Sequence, residues 1–230
     1  MSTKPVIFFA GGAWHSPEHF RDIRDELHRR GYETEAVAYP SVGAEPPTKG
    51  MHDDAAAVRT VLEELAGRGR RIVLVAHSYG GFVGAEAARG MGFEQRAQEG
   101  KAGGIVVPRV LITFLSQDGR IHVVAPTEAF YEDVAPEARE RAIGLLRHQT
   151  MVSFEEALTY EPWRDTACMY VGCEDDGAVP FFMQEQMQQL LGPTAVKLRM
   201  KASHSPFLSR IAETADWIET AAGTGQEAVG

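Results

Sequence analysis

Ser78 is the residue whose surroundings point most directly to chemistry. It follows an apolar run from Ile72 to Ala76 and precedes Tyr79 and the pair Gly80–Gly81. This pattern predicts a buried strand that turns sharply into a helix, and it fits G-x-S-x-G with alanine in place of the first glycine. In such a turn the serine oxygen is exposed above the sheet edge, where it can act as a nucleophile. A serine between a strand and a helix is also a common helix N-cap, so other residues must decide between the two interpretations.

Two further predicted strand ends carry groups that could serve a nucleophilic serine. His204 lies in the loop after the last predicted strand, where a neutral imidazole could take the serine proton. The preceding strand ends in Glu174, Asp175 and Asp176, and a carboxylate there could orient the imidazole and stabilise its charged form. Each of these groups also has a non-catalytic interpretation, since histidines are common in surface loops and Asp and Gly commonly form turns.

The first predicted strand, Val6 to Ala10, ends in the glycine-rich sequence Gly11-Gly12-Ala13-Trp14. A turn of this kind can direct the backbone N–H of Ala13 at a developing oxyanion, together with the N–H of Tyr79. A simple tight turn without a catalytic role would also explain these glycines. The position opposite the serine turn favours the oxyanion interpretation.

These residues need a scaffold that brings the carboxyl ends of several strands together. Apolar runs alternate with helical patterns along the chain, which predicts an α/β fold with a mostly parallel sheet flanked by helices. In such sheets the site lies at the carboxyl ends of the strands. Asp53 or Asp54 is predicted to cap the helix before the serine strand. We expect a strand over 105–115, a single domain over 1–230, an inserted cap over 116–165 and a disordered tail over 221–230.

Composition excludes several classes of function. The net charge of −9 and the pI of about 5.4 argue against nucleic acid or an anionic membrane as a partner. Cys168 and Cys173 lie an odd number of residues apart in one predicted strand, so they face opposite sides and predict no mutual disulfide. With no signal-peptide pattern at the N-terminus, we expect a reduced, cytoplasmic protein. The oligomeric state stays open, a homodimer included.

The quoted motifs together resemble the α/β-hydrolase superfamily, over roughly residues 5 to 218. The order serine, acid, histidine is the order of that superfamily. The sequence is most similar to the branch of small microbial hydrolases related to plant methylesterases and hydroxynitrile lyases. Four segments carry the resemblance: FFAGGAWHSPEHF for the oxyanion loop, AHSYGG for the serine turn, CEDDGAVP for the acid loop and SHSPFLS for the histidine loop.

The resemblance implies a catalytic triad of Ser78, His204 and Asp176, because the triad acid of the branch stands three residues after the cysteine and four before the proline. Asp175 and Asp118 are alternative acids. Gly11 departs from the histidine that plant members usually carry there.

The implied reaction is hydrolysis of an ester or lactone through an acyl-enzyme, by a serine carboxylic-ester hydrolase without metal or organic cofactor. His15, His19 and His28 are expected at solvated positions rather than as metal ligands. The lyases of the branch use a threonine and a lysine where this chain has Gly12 and Ser205, which favours hydrolysis over a hydroxynitrile-lyase-like reaction. An acyl-transfer cyclase and a triad-bearing small-molecule receptor also fit the same motifs.

Substrate information is expected mainly from the cap, whose apolar residues suit a hydrophobic or aromatic ester or lactone. The predicted pocket residues are Trp14, Phe130, Tyr131, Trp163 and Phe207.

Overall fold

The computed structural model describes residues 4–107, 118–164, 166–193 and 195–227. Its strands are β1 (Val6–Ala10), β2 (Glu33–Ala36), β3 (Arg71–Ala76), β4 (Gly104–Val107), β5 (Arg120–Ile121), β6 (Gln149–Thr150), β7 (Met169–Cys173) and β8 (Val196–Met200). Its α-helices are α1 (Arg21–Arg29), α2 (Met51–Gly67), α3 (Gly80–Ala87), α4 (Phe93–Gln98), α5 (Pro126–Phe130), α6 (Pro136–Leu145), α7 (Val152–Glu155), α8 (Phe181–Leu190), α9 (Pro206–Ser209) and α10 (Ile211–Glu227).

The central sheet is parallel, as the alternation of strands and helices predicts. Four strands pair in the order β2-β1-β3-β4, and β7 and β8 form a second parallel pair. β1 is buried along its whole length, which explains its unbroken apolar sequence. Ala10 pairs with Ala76 at the ends of β1 and β3. The loops that follow these two strands therefore leave the sheet side by side.

Helices cover the sheet and supply the rest of the core. α1 presents Ile23 and Leu27 to the interior, and α2 presents Val58 and Leu62, all fully buried. The spacings of four residues place each pair on one helix face. α2 begins at Met51, with Gly50 at its N-cap, and of the two predicted capping residues it is Asp53 whose Oδ2 accepts from the Gly50 N–H, at 3.0 Å, whereas Asp54 turns to the core.

Residues 118–164, which belong to the predicted cap, pack against the loops that follow β1 and β8: Nε1 of Trp14 donates to the carbonyl of Ile121 at 2.8 Å, and the Phe130 ring stacks on that of His204. β5 and β6 pair antiparallel, and the same segment contains α5, α6 and α7. The cap is also attached to the loop after β2, because the N–H of Gly43 donates to the carbonyl of His148 at 2.8 Å.

Two predicted segments fall partly outside the described residues. Of the strand predicted over 105–115, the structure describes β4, and residues 108–115 lie outside. α10 continues to Glu227, through the first residues of the segment for which a tail is predicted. Across the described part of the chain, no helix combines the length and the apolar character needed to cross a bilayer.

Candidate active site

Ser78 occupies a strained turn between β3 and α3. Its φ of 55° lies in the left-handed region, which a residue with a side chain adopts at a cost of about 1–3 kcal/mol. Gly80 explains how the turn can be so tight: a Cβ there would lie 2.1 Å from the carbonyl oxygen of Ala10. Ser78 is only partly buried. Ser78 therefore lies in a tight strand-to-helix turn and keeps part of its surface accessible.

Asp176 is the acid that the structure brings to His204. The Asp176 Oδ2 atom lies 2.9 Å from Nδ1 of His204, and both side chains are 5% exposed. The carboxylate is held in place by the backbone N–H groups of Ala178 and Val179, which donate to Oδ1 at 2.8 Å. Gln184 donates to Oδ2 from its Nε2 at 3.2 Å. The carboxylate therefore has a fixed orientation, as a residue that orients a histidine requires.

The side chains of the two alternative acids, Asp175 and Asp118, do not contact His204. Asp175 is exposed beside Asp176, and its backbone N–H donates to the carbonyl of Ala202. Asp118 is exposed in the cap and forms an ion pair with Arg120. Neither makes the contact with His204 that Asp176 makes.

His204 contacts His77, to which sequence analysis assigned no role, and the predicted pocket residue Phe130. Nε2 of His77 lies 2.9 Å from the His204 carbonyl oxygen, and Phe130 stacks on the His204 ring with the centroids 5.2 Å apart. Burial, and then the nearby His204, hold the pKa of His77 well below its usual value. A neutral His77 that donates from Nε2 matches this contact, so His77 anchors the loop that carries His204. The signal in the sequence was its place directly before Ser78.

The glycine-rich turn after β1 packs directly against the serine turn. The N–H of His77 donates to the carbonyl of Ala10 at 2.9 Å, which joins the two loops. Ala13 and Tyr79, whose backbone N–H groups are the predicted oxyanion donors, are both buried. Trp14 has a φ of 67°, so this turn also contains a residue in the left-handed region.

Four of the five predicted pocket residues gather near the site. Trp14 and Phe130 lie with their ring centroids 5.7 Å apart, and Phe130 and Tyr131 also lie 5.7 Å apart. Phe207 borders the same cavity as Ser78 and His204. Trp163 instead packs against a separate cluster formed by Cys168, Tyr170, Leu191 and Ala195.

Phe154 is a further aromatic neighbour of the site. It lies 5.9 Å from Trp14 and 5.5 Å from Tyr79, measured between ring centroids.

The prediction of solvated positions is wrong for two of the three histidines near the N-terminus. His15 and His19 are buried, whereas His28 is exposed. Nδ1 of His15 lies 2.7 Å from the carbonyl oxygen of Ala13, and Nε2 lies 2.9 Å from the hydroxyl of Tyr131. Burial is the main cause that holds the pKa of His15 well below its usual value, so a neutral imidazole supports the turn. Within the described residues, no three His, Cys, Asp or Glu side chains group as a metal site would require.

The chain is similar to known hydrolases over nearly its whole length. The model of the alpha/beta hydrolase family matches residues 7–217. A relative from Aspergillus novofumigatus, alpha/beta hydrolase nvfD, is 29% identical, with 97% of this chain and 99% of the relative covered.

Two solved structures are similar in fold. The pyrethroid hydrolase of Sphingobium faniae JZ-2 matches with a TM-score of 0.73 at 20% identity, covering 97% of this chain and 99% of that one. The methylesterase MES16 of Arabidopsis also matches with a TM-score of 0.73, at 15% identity, covering 96% and 99%.

Proposed function

Because the chain belongs to the alpha/beta hydrolase family, we propose that it is a serine hydrolase that cleaves a carboxylic ester or lactone through an acyl-enzyme. The observation that carries the proposal is the contact between His204 and Asp176 at the strand edge where Ser78 occupies its strained turn. A nucleophile, a base and a group that orients the base are the three parts that this chemistry needs.

The proposed reaction begins when Ser78 attacks the substrate carbonyl while His204 takes the hydroxyl proton. Asp176 keeps Nδ1 of the imidazole protonated, so that Nε2 is free to accept, and it stabilises the imidazolium that forms. The backbone N–H groups of Ala13 and Tyr79 hold the oxyanion of the tetrahedral intermediate. His204 then returns the proton to the leaving alkoxide. In the second half, it activates a water molecule that releases the acid and regenerates the serine.

The proposed substrate is hydrophobic or aromatic. The support is the set of aromatic rings of Trp14, Phe130 and Phe154 around the site. Apolar and aromatic side chains favour apolar ligands, because such ligands have few polar groups that would lose hydrogen bonds to water on binding. The names of the two structural neighbours, a pyrethroid hydrolase and a methylesterase, are compatible with this class.

Steady turnover of p-nitrophenyl butyrate tests the proposal. We expect Ser78→Ala to abolish turnover, and we expect Asp176→Asn to lower kcat by about 10³-fold or more because the imidazole loses the group that fixes its tautomer. A burst of one equivalent of p-nitrophenol without further turnover would favour a receptor instead. Turnover that persists in Ser78→Ala would exclude the proposed nucleophile.

A further inference from the structure

A network of buried polar side chains bonds to both the glycine-rich turn after β1 and the serine turn after β3. Its members are almost completely inaccessible to solvent. They are Ser41 of the loop after β2, Asp54 of α2, Tyr79 just before α3, Gln149 of β6 and Ser153 of α7. Burying polar groups in this number is costly unless they bond to one another. The proposed reaction assigns no role to these side chains.

One end of the network holds the residue after the nucleophile. The Tyr79 hydroxyl donates to Oδ2 of Asp54 at 2.7 Å. Ser41 donates to Oδ1 of the same carboxylate from its backbone N–H at 2.9 Å, and its hydroxyl donates to Oδ2. Asp54 therefore fixes Tyr79, whose own backbone N–H is one of the two proposed oxyanion donors.

The other end of the network holds the glycine-rich turn. The backbone N–H of Trp14 donates to Oε1 of Gln149 at 3.2 Å. The other atom of the same peptide group, the carbonyl oxygen of Ala13, lies 2.7 Å from Nδ1 of His15. Both polar atoms of the peptide after Ala13 are thus engaged, which fixes the turn that presents the Ala13 N–H.

Ser41 joins the two ends. Nε2 of Gln149 donates to the Ser41 hydroxyl and, at 2.8 Å, to the hydroxyl of Ser153. A continuous path of hydrogen bonds therefore runs from Trp14 through Gln149, Ser41 and Asp54 to Tyr79.

The two ends of the path lie next to strained backbone. Trp14 and Ser78 are two of the four non-glycine residues with positive φ among those that the structure describes. Strained conformations persist only where the surroundings hold them in place. The network therefore supports both loops at the points where their conformations need support.

We propose that Asp54 and Gln149 are positioning residues that set the distance between the two oxyanion donors, the N–H groups of Ala13 and Tyr79. The inference rests on the proposed function, because it concerns the same oxyanion. An oxyanion site works when its donors are in place before charge develops, and a displacement of about 1 Å can lower the rate by about 100-fold. Gln149 lies in the segment predicted as the cap, so through this bond that segment helps to position the oxyanion donors.

Two conservative variants test the role, each with a matched control. Tyr79→Phe removes the hydroxyl that Asp54 binds, whereas Tyr39→Phe removes a buried hydroxyl for which the described residues supply no hydrogen-bond partner. Gln149→Met removes the acceptor for Trp14, whereas Gln188→Met changes a buried glutamine of α8 outside the network. The probes are p-nitrophenyl butyrate and a fluorophosphonate whose adduct is located by peptide mass mapping.

We expect Tyr79→Phe and Gln149→Met to lower kcat by about 10- to 100-fold with little change in KM, because the donors bind the transition state more than the ground state. Fluorophosphonate labelling of Ser78 should slow by a similar factor, since its phosphoryl oxygen uses the same donors. The two controls should keep wild-type rates. Thermal unfolding of each variant reports the folded fraction at the assay temperature.

The outcomes separate this role from the proposed function. Wild-type protein that neither turns over the ester nor labels at Ser78 would overturn both. Wild-type labelling at Ser78 with unchanged rates in Tyr79→Phe and Gln149→Met would overturn the positioning role alone. Rate losses that merely follow the unfolded fraction, or that raise KM at constant kcat, would also overturn it.

Discussion

The contact between Gly80 and the end of β1 allows a sharp prediction from a single methyl group. In Gly80→Ala, the new Cβ would lie 2.1 Å from the carbonyl oxygen of Ala10 and 2.4 Å from that of Gly11. Both contacts are with backbone, so no side chain can rotate away. The end of β1 and the start of α3 must separate by about 1 Å before these contacts become tolerable.

This separation moves the glycine-rich turn relative to Ser78, because that turn begins at Gly11. We expect Gly80→Ala to lower the free energy of unfolding by about 1–3 kcal/mol, as added volume in a packed region does. We expect kcat/KM for p-nitrophenyl butyrate to fall by about 100-fold, since the displacement separates Ser78, the proposed nucleophile, from Ala13, one of the two proposed oxyanion donors.

Gly84→Ala is the matched control in the same helix. Its Cβ would meet the end of the Leu74 side chain at 3.3 Å, a contact that a small side-chain movement relieves. Alanine also favours helix over glycine by about 1 kcal/mol, so this variant should be active and at least as stable as wild type. The reasoning fails if Gly80→Ala retains wild-type activity and stability, or if the two variants behave alike.

Two further predictions concern the buried polar groups around the site. Gln184→Met should lower the free energy of unfolding by about 2 kcal/mol or more and reduce kcat. The reason is that the Gln184 amide forms hydrogen bonds with the backbone N–H and carbonyl of Cys173 and with Asp176. An unchanged midpoint of urea unfolding would contradict this prediction. Asp54→Asn tests a titration, since burial, partly offset by hydrogen bonds from Ser41 and Tyr79, raises the pKa of Asp54 to about 6. The folded state then binds this proton more tightly than the unfolded chain does. The free energy of unfolding of wild type, relative to that of Asp54→Asn, should therefore fall by up to about 3 kcal/mol as the pH rises from about 4 to 7. Urea unfolding of both proteins across this range measures it. A difference between the two free energies that stays constant with pH would contradict the prediction.

The sequence predicted the parts of the fold and site that depend on local pattern. The apolar runs of β1 and β3 are too continuous for an amphipathic helix and mark buried parallel strands. Residues placed directly after such strands converge at one sheet edge, so chain position pointed to Ser78, His204 and a carboxylate among residues 174–176, and the family resemblance selected Asp176. The contact of Asp176 with His204 agrees with that assignment of the acid.

The parts that local pattern could not predict depend on long-range contacts. Asp54 looks like a helix cap because Asp near a helix start usually is one, but its side chain points into the core toward Tyr79, 25 residues further along. Gln149 lies in a two-residue strand, too short for any periodicity, and its partner Trp14 is 135 residues away. Trp163 is aromatic like the residues near the site, and only the fold shows that it packs elsewhere.

The central claim is that one serine oxygen forms a covalent bond with the substrate. Rapid acid quenching of a reaction with p-nitrophenyl butyrate, followed by intact mass measurement and peptide mapping, tests it most directly. The account predicts a butyryl group on the peptide that contains Ser78, and no such adduct in Ser78→Ala. A butyryl group on another residue, or full turnover in Ser78→Ala, would contradict the account.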